Sequence, residues 1–310
     1  MDTVAVVGAG AVGSYYGARL SQAGHDVHFL LRRDYEAVAK QGLRIESHHG
    51  DFYIESPTIS RDSSAIGPVD WVLCALKATS LGEASALVRP CLGPETRVLA
   101  IVNGLGIEEE LARVLDRENI FGGLAFTCIN RGEPGVIHHY DYGQVVIGHL
   151  GDDPVELERA LALWQGATVE VSRAPSLLRA RWEKLCWNVP FNGLTVAEGG
   201  ITTELIVTDS TLRKEACALM EEVVKAGNAD LAARDNPERI DGEEVITRMF
   251  TLTDAMGPYR PSTLIDFLEG RRIEVDAIFG EPVRRARALG VETPRLERLA
   301  ALLSTLNPEA

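Results

Sequence analysis

Cysteine is scarce in this chain and unpaired in its spacing. The five, Cys74, Cys91, Cys128, Cys186 and Cys217, are odd in number and widely scattered. None belongs to a C-x-x-C pair, so neither a disulfide framework nor a zinc site is suggested, and no metal is expected. Reduced, mostly buried thiols are the natural reading. Positive charge is also in deficit: 31 Lys and Arg stand against 45 Asp and Glu, a formal net charge of −14. Nucleic acid and anionic membranes reward basic surfaces, so neither is expected as the main partner. An anionic small molecule would need a local cluster of cations. No apolar run approaches the ~20 residues that cross a bilayer. No basic segment followed by an apolar region precedes the first strand, which points to the cytoplasm. Internal repeats and low-complexity segments are absent too.

What is present is ordinary globular composition, 45% hydrophobic and 25% charged, over 310 residues. That length suits two domains, each with its own core. Strand-like runs recur at 3–7, 26–31, 71–76, 98–102, 120–126 and 144–148, with helical segments between several of them. The alternation predicts a mostly parallel sheet covered by helices. Alternating Leu43, Ile45, Phe52 and Ile54 mark the stretch from Gly42 to Ser60 as antiparallel edge strands. After about Pro175 the β-rich runs stop. Helices are expected at 177–192, 204–233, 242–256, 263–269, 275–289 and 294–305. The fold class is therefore α/β: a Rossmann-type dinucleotide-binding domain over 1–174, then an all-helical domain over 175–310. A substrate would meet the cofactor in the cleft between the carboxyl edge of the sheet and the helical domain.

The dinucleotide assignment rests on the first residues. The apolar run Thr3-Val4-Ala5-Val6-Val7 feeds into Gly8-Ala9-Gly10-Ala11-Val12-Gly13 and then an amphipathic helix. This is the order strand, glycine turn, helix that a dinucleotide site requires. Gly8 permits the tight turn, Gly10 removes a side chain where the pyrophosphate approaches, and Gly13 allows close helix–sheet packing. The helix N-terminus then offers N–H groups and a positive dipole end to phosphate. The second strand ends in Arg32-Arg33, where an acidic residue would instead favour NAD. A guanidinium grips phosphate in a bidentate fork, so Arg32, with Arg33 beside it, points to NADP. The opposing reading is a solvated basic pair with Asp34 as the ribose ligand. Asp34 also suits the N-cap of a helix over 35–40.

Six further positions could carry chemistry. Lys77 and Asn103 follow strands and would sit at carboxyl ends facing the cofactor, although polar residues are common there. On the predicted helix 181–192, Trp182, Leu185, Cys186 and Val189 form one buried face. Lys184, Asn188 and Asn192 form a polar line beside it, at i, i+4, i+8 spacing. Asparagines are poor helix formers, which sets this line apart from an ordinary solvated face. Pro190 should kink the helix or begin its end. Glu274 lies near the start of a helix, where a capping acid is the simplest reading.

With these residues in place, the chain resembles the ketopantoate reductases, or 2-dehydropantoate 2-reductases, over essentially its whole length. The resemblance runs from the glycine turn through Leu76-Lys77-Ala78, Val102-Asn103-Gly104, Trp182-Glu183-Lys184-Leu185, Ile273-Glu274-Val275-Asp276 and Gly280 to Gly290 and Pro294. It implies reduction of a branched 2-oxo acid by NADPH on the route to pantothenate and coenzyme A. By position, Lys184 would be the general acid, and Glu274 would hold the substrate hydroxyl and orient that lysine. Asn103 would contact nicotinamide and substrate, Lys77 would order the site, and Asn188, Asn192 and Ser262 would hold polar groups of the substrate. Ile273 replaces a common threonine, Tyr259-Arg260-Pro261 precedes Ser262 in place of a more ordinary polar stretch, and Leu296 stands where asparagine is frequent. These departures bear on substrate fit. Two rival readings are a D-2-hydroxyacid dehydrogenase acting on a bulkier or aromatic 2-oxo acid, and a non-catalytic NADP-binding redox sensor. A homodimer is permitted by the composition without being required.

Overall fold

The structure, a computed structural model, describes residues 1–115 and 118–307. The chain divides into two compact units: Met1–Val102 with Ile107–Leu177, and Asn103–Gly106 with Leu178–Ala310.

In the first unit the strands are β1 (Thr3–Val7), β2 (Asp26–Leu30), β3 (Leu43–Ser47), β4 (Phe52–Ile54), β5 (Thr58–Ser60), β6 (Val69–Cys74), β7 (Leu92–Ala100), β8 (Ile120–Arg131), β9 (Val136–His149) and β10 (Val171–Arg173). They form one sheet in the order β4-β3-β9-β8-β7-β6-β1-β2-β5, with β10 beside β9. The run β8-β7-β6-β1-β2-β5 is parallel throughout. Pairing is antiparallel between β8 and β9 and between β3 and β4. The helices are α1 (Ala11–Gln22), α2 (Tyr35–Gln41), α3 (Ala84–Val88), α4 (Ile107–Leu115) and α5 (Pro154–Ala162). Val4 to Val7 are fully buried, as a strand covered on both faces must be.

Two expectations for this unit are corrected. The stretch 42–60 is not one edge: β3 and β4 pair antiparallel at one end of the sheet, while β5 pairs parallel with β2 at the other. Asp34 precedes α2, but its side chain makes no capping hydrogen bond. It is buried and paired with Arg131 at the end of β8. An ion pair in a sheltered site outweighs one cap bond here.

The second unit is helical: α6 (Leu177–Trp187), α7 (Gly193–Ala197), α8 (Thr203–Thr208), α9 (Ser210–Ala233), α10 (Gly242–Asp254), α11 (Ser262–Leu268), α12 (Glu281–Ala288) and α13 (Pro294–Leu306). The helix expected at 204–233 is broken at Asp209, whose carboxylate accepts from the N–H groups of Thr211 (2.8 Å) and Leu212 (2.9 Å) and so starts α9 afresh. The other departure falls where the chemistry was expected. Asn188–Asn192 and Asp276–Gly280 are wound as π-helix, not α-helix. Pro190 lacks an N–H and cannot join the regular i→i−4 ladder, and the chain absorbs it by widening one turn before α7 resumes.

The face expected to be buried is buried: Trp182, Cys186 and Val189 are 0% exposed and Leu185 1%. Trp182 Nε1 donates to Asp230 Oδ2 on α9 at 3.0 Å, and Trp187 Nε1 donates to Thr253 Oγ1 on α10 at 3.0 Å. Such buried indole bonds fix the rotation of α6 about its axis. Ile273 and Leu296, two of the departures, are both fully buried in this unit's apolar core. No disulfide joins the five cysteines, and burial pushes Cys74, Cys91 and Cys186 above their ordinary range.

Candidate active site

The glycine turn has the geometry a dinucleotide needs. Gly8 holds φ +91°, and a Cβ there would lie 2.6 Å from the Ala75 carbonyl carbon, just beyond β6. A Cβ on Gly13 would lie 2.4 Å from the Gly8 oxygen, so α1 approaches the turn as closely as backbone allows. Gly10 differs, because a Cβ there would meet nothing nearer than the Gly8 oxygen at 3.9 Å. The protein leaves open space at this one position. Gly10 is also the N-cap of α1 and caps it with no side chain, so the opening amides of Ala11, Val12 and Gly13 carry the unscreened positive end of the helix. Gly8, Ala9, Gly10, Ala11, Val12 and Gly13 therefore fit a pyrophosphate.

Arg32 and Lys77 follow β2 and β6, the two neighbours of β1, and both are exposed. Arg32 Nη1 lies 3.4 Å from Glu83 Oε2, with 70% and 50% of the two side chains in solvent. Such a pair contributes little and yields easily. Lys77 starts the short 3-10 turn Ala78–Glu83, which carries that same Glu83.

In the second unit, Lys184 is half-buried near the end of α6, while Asn188 and Asn192, 4% and 2% exposed, occupy the π turn that follows. The Oδ1 atom of Asn192 is buried with no hydrogen-bond partner. A buried polar atom without a partner is costly, and it suits a group that meets its partner on a ligand. Glu274 is 5% exposed and lies just before Val275, the N-cap of the second π segment. Loss of hydration, reinforced by the charge of Arg181, pushes the Lys184 ammonium down to about 7, while Glu274 draws it upward. Arg181 is itself buried. One turn before Lys184, it had no role in the reading from sequence.

Asn103 is half-buried and belongs with the helical unit, because the loop Asn103–Gly106 packs there: Leu105 N donates to the Ala277 oxygen at 2.9 Å. Gly104 holds φ +106° and a Cβ would lie 2.5 Å from Ala277 Cβ, so this loop is pressed against the second π segment. Ser262 is the exposed first residue of α11.

The family model described as ketopantoate reductase PanE/ApbA matches residues 4–152, and the one for its C-terminal part matches residues 176–307. The chain belongs to the ketopantoate reductase family. Among curated family members, the 2-dehydropantoate 2-reductase of Nostoc sp. is 39% identical, over 98% of this chain and 94% of the relative. The crystal structure of the 2-dehydropantoate 2-reductase of Geobacter metallireducens is 42% identical, covers 98% of this chain and 99% of that one, and superposes with a TM-score of 0.93. A D-mandelate dehydrogenase solved with NADH and anilino(oxo)acetate shares the fold, with a TM-score of 0.87 at 24% identity and 98% of each chain covered. The chain is an oxidoreductase of a dinucleotide-dependent family.

Proposed function

We propose that this protein reduces 2-dehydropantoate, a branched 2-oxo acid, to pantoate with NADPH. The observation that carries the reading is Lys184, a half-buried ammonium pushed down to about 7 beside the buried amides of Asn188 and Asn192 and opposed by Glu274. A group poised near the working pH exists as an acid and gives up its proton readily, which is what a general acid must do.

The reduced nicotinamide supplies the hydride that reaches the ketone carbon. As that carbon gains the hydride, its oxygen gains negative charge, which the Lys184 ammonium stabilises before passing one proton to it. One ketone, one hydride and one proton give the alcohol, and Lys184 recovers its proton from solvent. Glu274 keeps Lys184 protonated and accepts a hydrogen bond from the new hydroxyl. The Asn192 oxygen and the Asn188 amide bind substrate polar groups, with Ser262 and Asn103 completing the set. Lys77 orders the nicotinamide end.

The cofactor reading is NADP. Arg32 and Arg33 are exposed at the end of β2, where a 2′-phosphate would lie, and Asp34, the rival ribose ligand, is buried against Arg131. The test follows loss of reduced-nicotinamide absorbance with 2-dehydropantoate and a panel of other 2-oxo acids, each with NADPH and NADH. Rapid oxidation of NADPH by 2-dehydropantoate is expected. Turnover confined to an aromatic 2-oxo acid would reassign the substrate, and tight NADPH binding without turnover on any of them would remove the enzyme reading.

A further inference from the structure

Three histidines that take no part in the reductase chemistry converge in the first unit. His48 and His49 lie in the turn between β3 and β4, and His139 lies on β9. Parallel pairing of β3 with β9 sets Ser47 opposite His139 and brings the turn onto that ring. Ring centroids are 3.8 Å apart for His48 and His49, 5.4 Å for His48 and His139, and 5.2 Å for His49 and His139. One ring nitrogen from each lies within 4.8 Å of the others, and no other group of three His, Cys, Asp or Glu is as close-set among the described residues.

His139 is held as a ligand is held. Ser47 Oγ accepts from Arg19 Nη2 and from the His49 backbone N–H, both at 3.1 Å, so its own proton goes to His139 Nδ1 at 2.8 Å. Nε2 therefore carries the ring proton, which it donates to the Tyr142 carbonyl at 2.9 Å. A second-nitrogen bond to a backbone carbonyl is what fixes tautomer and orientation in histidine metal sites. The chain accepts a left-handed residue here, Tyr142 at φ +60°. Nδ1 keeps the lone pair, and a metal needs only to displace the serine hydroxyl from it. Burial pushes His139 down to about 4 and lowers His49 as well.

A second observation points to a ligand. A cavity of about 140 Å³ opens beside the cluster, lined by His48, His49, Tyr15, Asp141 and Glu170 among others. Tyr15 is fully buried, and its hydroxyl has no hydrogen-bond partner. The volume holds several waters at roughly 30 Å³ each. Arg19 brings a positive charge nearby, with its guanidinium carbon 5.2 Å from the Tyr15 ring centre. Asp141 and Glu170 offset it.

We propose that His48, His49 and His139 form a site for one divalent transition-metal ion of the imidazole-preferring class, with water from the adjoining cavity completing its coordination. Three imidazoles with an open position suit Zn²⁺, Ni²⁺ or Cu²⁺, and not Mg²⁺ or Ca²⁺. The ion would clamp the β3–β4 turn to β9, far along the sheet order from the nucleotide turn beside β1.

The full-length protein, stripped with chelator, is titrated with Zn²⁺ by calorimetry and with Co²⁺ by visible absorption. One ion per chain is expected, with cobalt bands of a low-coordinate nitrogen site. His48→Ala and His49→Ala each remove a ligand at an exposed position, so the chelated variants should melt with the parent and keep its reductase rate. Their Zn²⁺ affinity should fall by more than the roughly 10–100-fold typical of outer-shell partners. Absence of stoichiometric binding, or affinity unchanged from the parent in both variants, would overturn the proposal, since the ion would then lie elsewhere or nowhere.

Discussion

Glu274 raises the basicity of Lys184, while burial and the neighbouring Arg181 depress it to about 7. In the proposed mechanism the acid form of Lys184 is the active one, so kcat/KM should be level below about pH 7 and fall tenfold per pH unit above it. Glu274→Gln removes the raising charge and should move this alkaline limb to lower pH. Arg181→Met removes a depressing charge and should move it higher. A limb that stays fixed in both variants would assign the titration to another group.

Lys184→Ala should lower turnover by roughly 100-fold or more, the usual scale for loss of a general acid. NADPH affinity, read from nucleotide fluorescence, should barely change. A parallel loss of cofactor binding would make Lys184 a structural or nucleotide-binding residue.

Arg32→Ala should weaken NADPH by about tenfold or more, in line with a charged hydrogen bond of about 1.5–3 kcal/mol, and leave NADH nearly unchanged. Glu83→Gln frees Arg32 from a mostly exposed pair and should leave the melting temperature where it is. Equal losses for both nucleotides in Arg32→Ala would exclude a 2′-phosphate contact.

Two glycines of the same turn should respond in opposite ways. Gly13→Ala drives a Cβ to 2.4 Å from the Gly8 oxygen and should destabilise the fold by about 1–3 kcal/mol or more. Gly10→Ala finds open space and should melt like the parent, yet lose affinity for NADPH and NADH alike, because its methyl group occupies the pyrophosphate's approach. Normal nucleotide binding by Gly10→Ala would count against that placement.

Asp230 joins three helices. It accepts from Trp182 Nε1, Arg234 Nε and Arg285 Nη1, each at 3.0 Å. Burial alone would raise its carboxyl, but these three donors hold it below the usual carboxylate range. Its contribution is thus complete above that range and lost as the pH falls through the depressed value. Asp230→Ala leaves the Trp182 indole N–H unmatched and takes one of two carboxylates from Arg285, which keeps Glu281, and urea unfolding should show a loss of about 1–3 kcal/mol.

The nucleotide turn was legible because Gly8, Gly10 and Gly13 fall in one short run where β1 passes into α1. The buried face of α6 was legible for the same reason, through its 3.6-residue period. Asp34 was misread, since its partner Arg131 lies 97 positions away and no local pattern announces it. The histidine cluster was equally hidden, because β3 and β9 become neighbours only in the folded sheet. Scarcity of cysteine spoke against zinc, but histidines drawn from distant strands leave no spacing to read. Arg181 was visible within its segment, though its effect on Lys184 depends on burial, which sequence does not state.

The π turn at Asn188–Asn192 sets the angular phase between Lys184 and the amides that follow it. A regular helix advances about 100° per residue. Removing one residue from this turn would restore an ordinary ladder and swing Asn192 by about that angle relative to Lys184, although every side chain would still be present. The wide turn behaves as a retained one-residue insertion, and the spacing Lys184, Asn188, Asn192 has meaning only together with it.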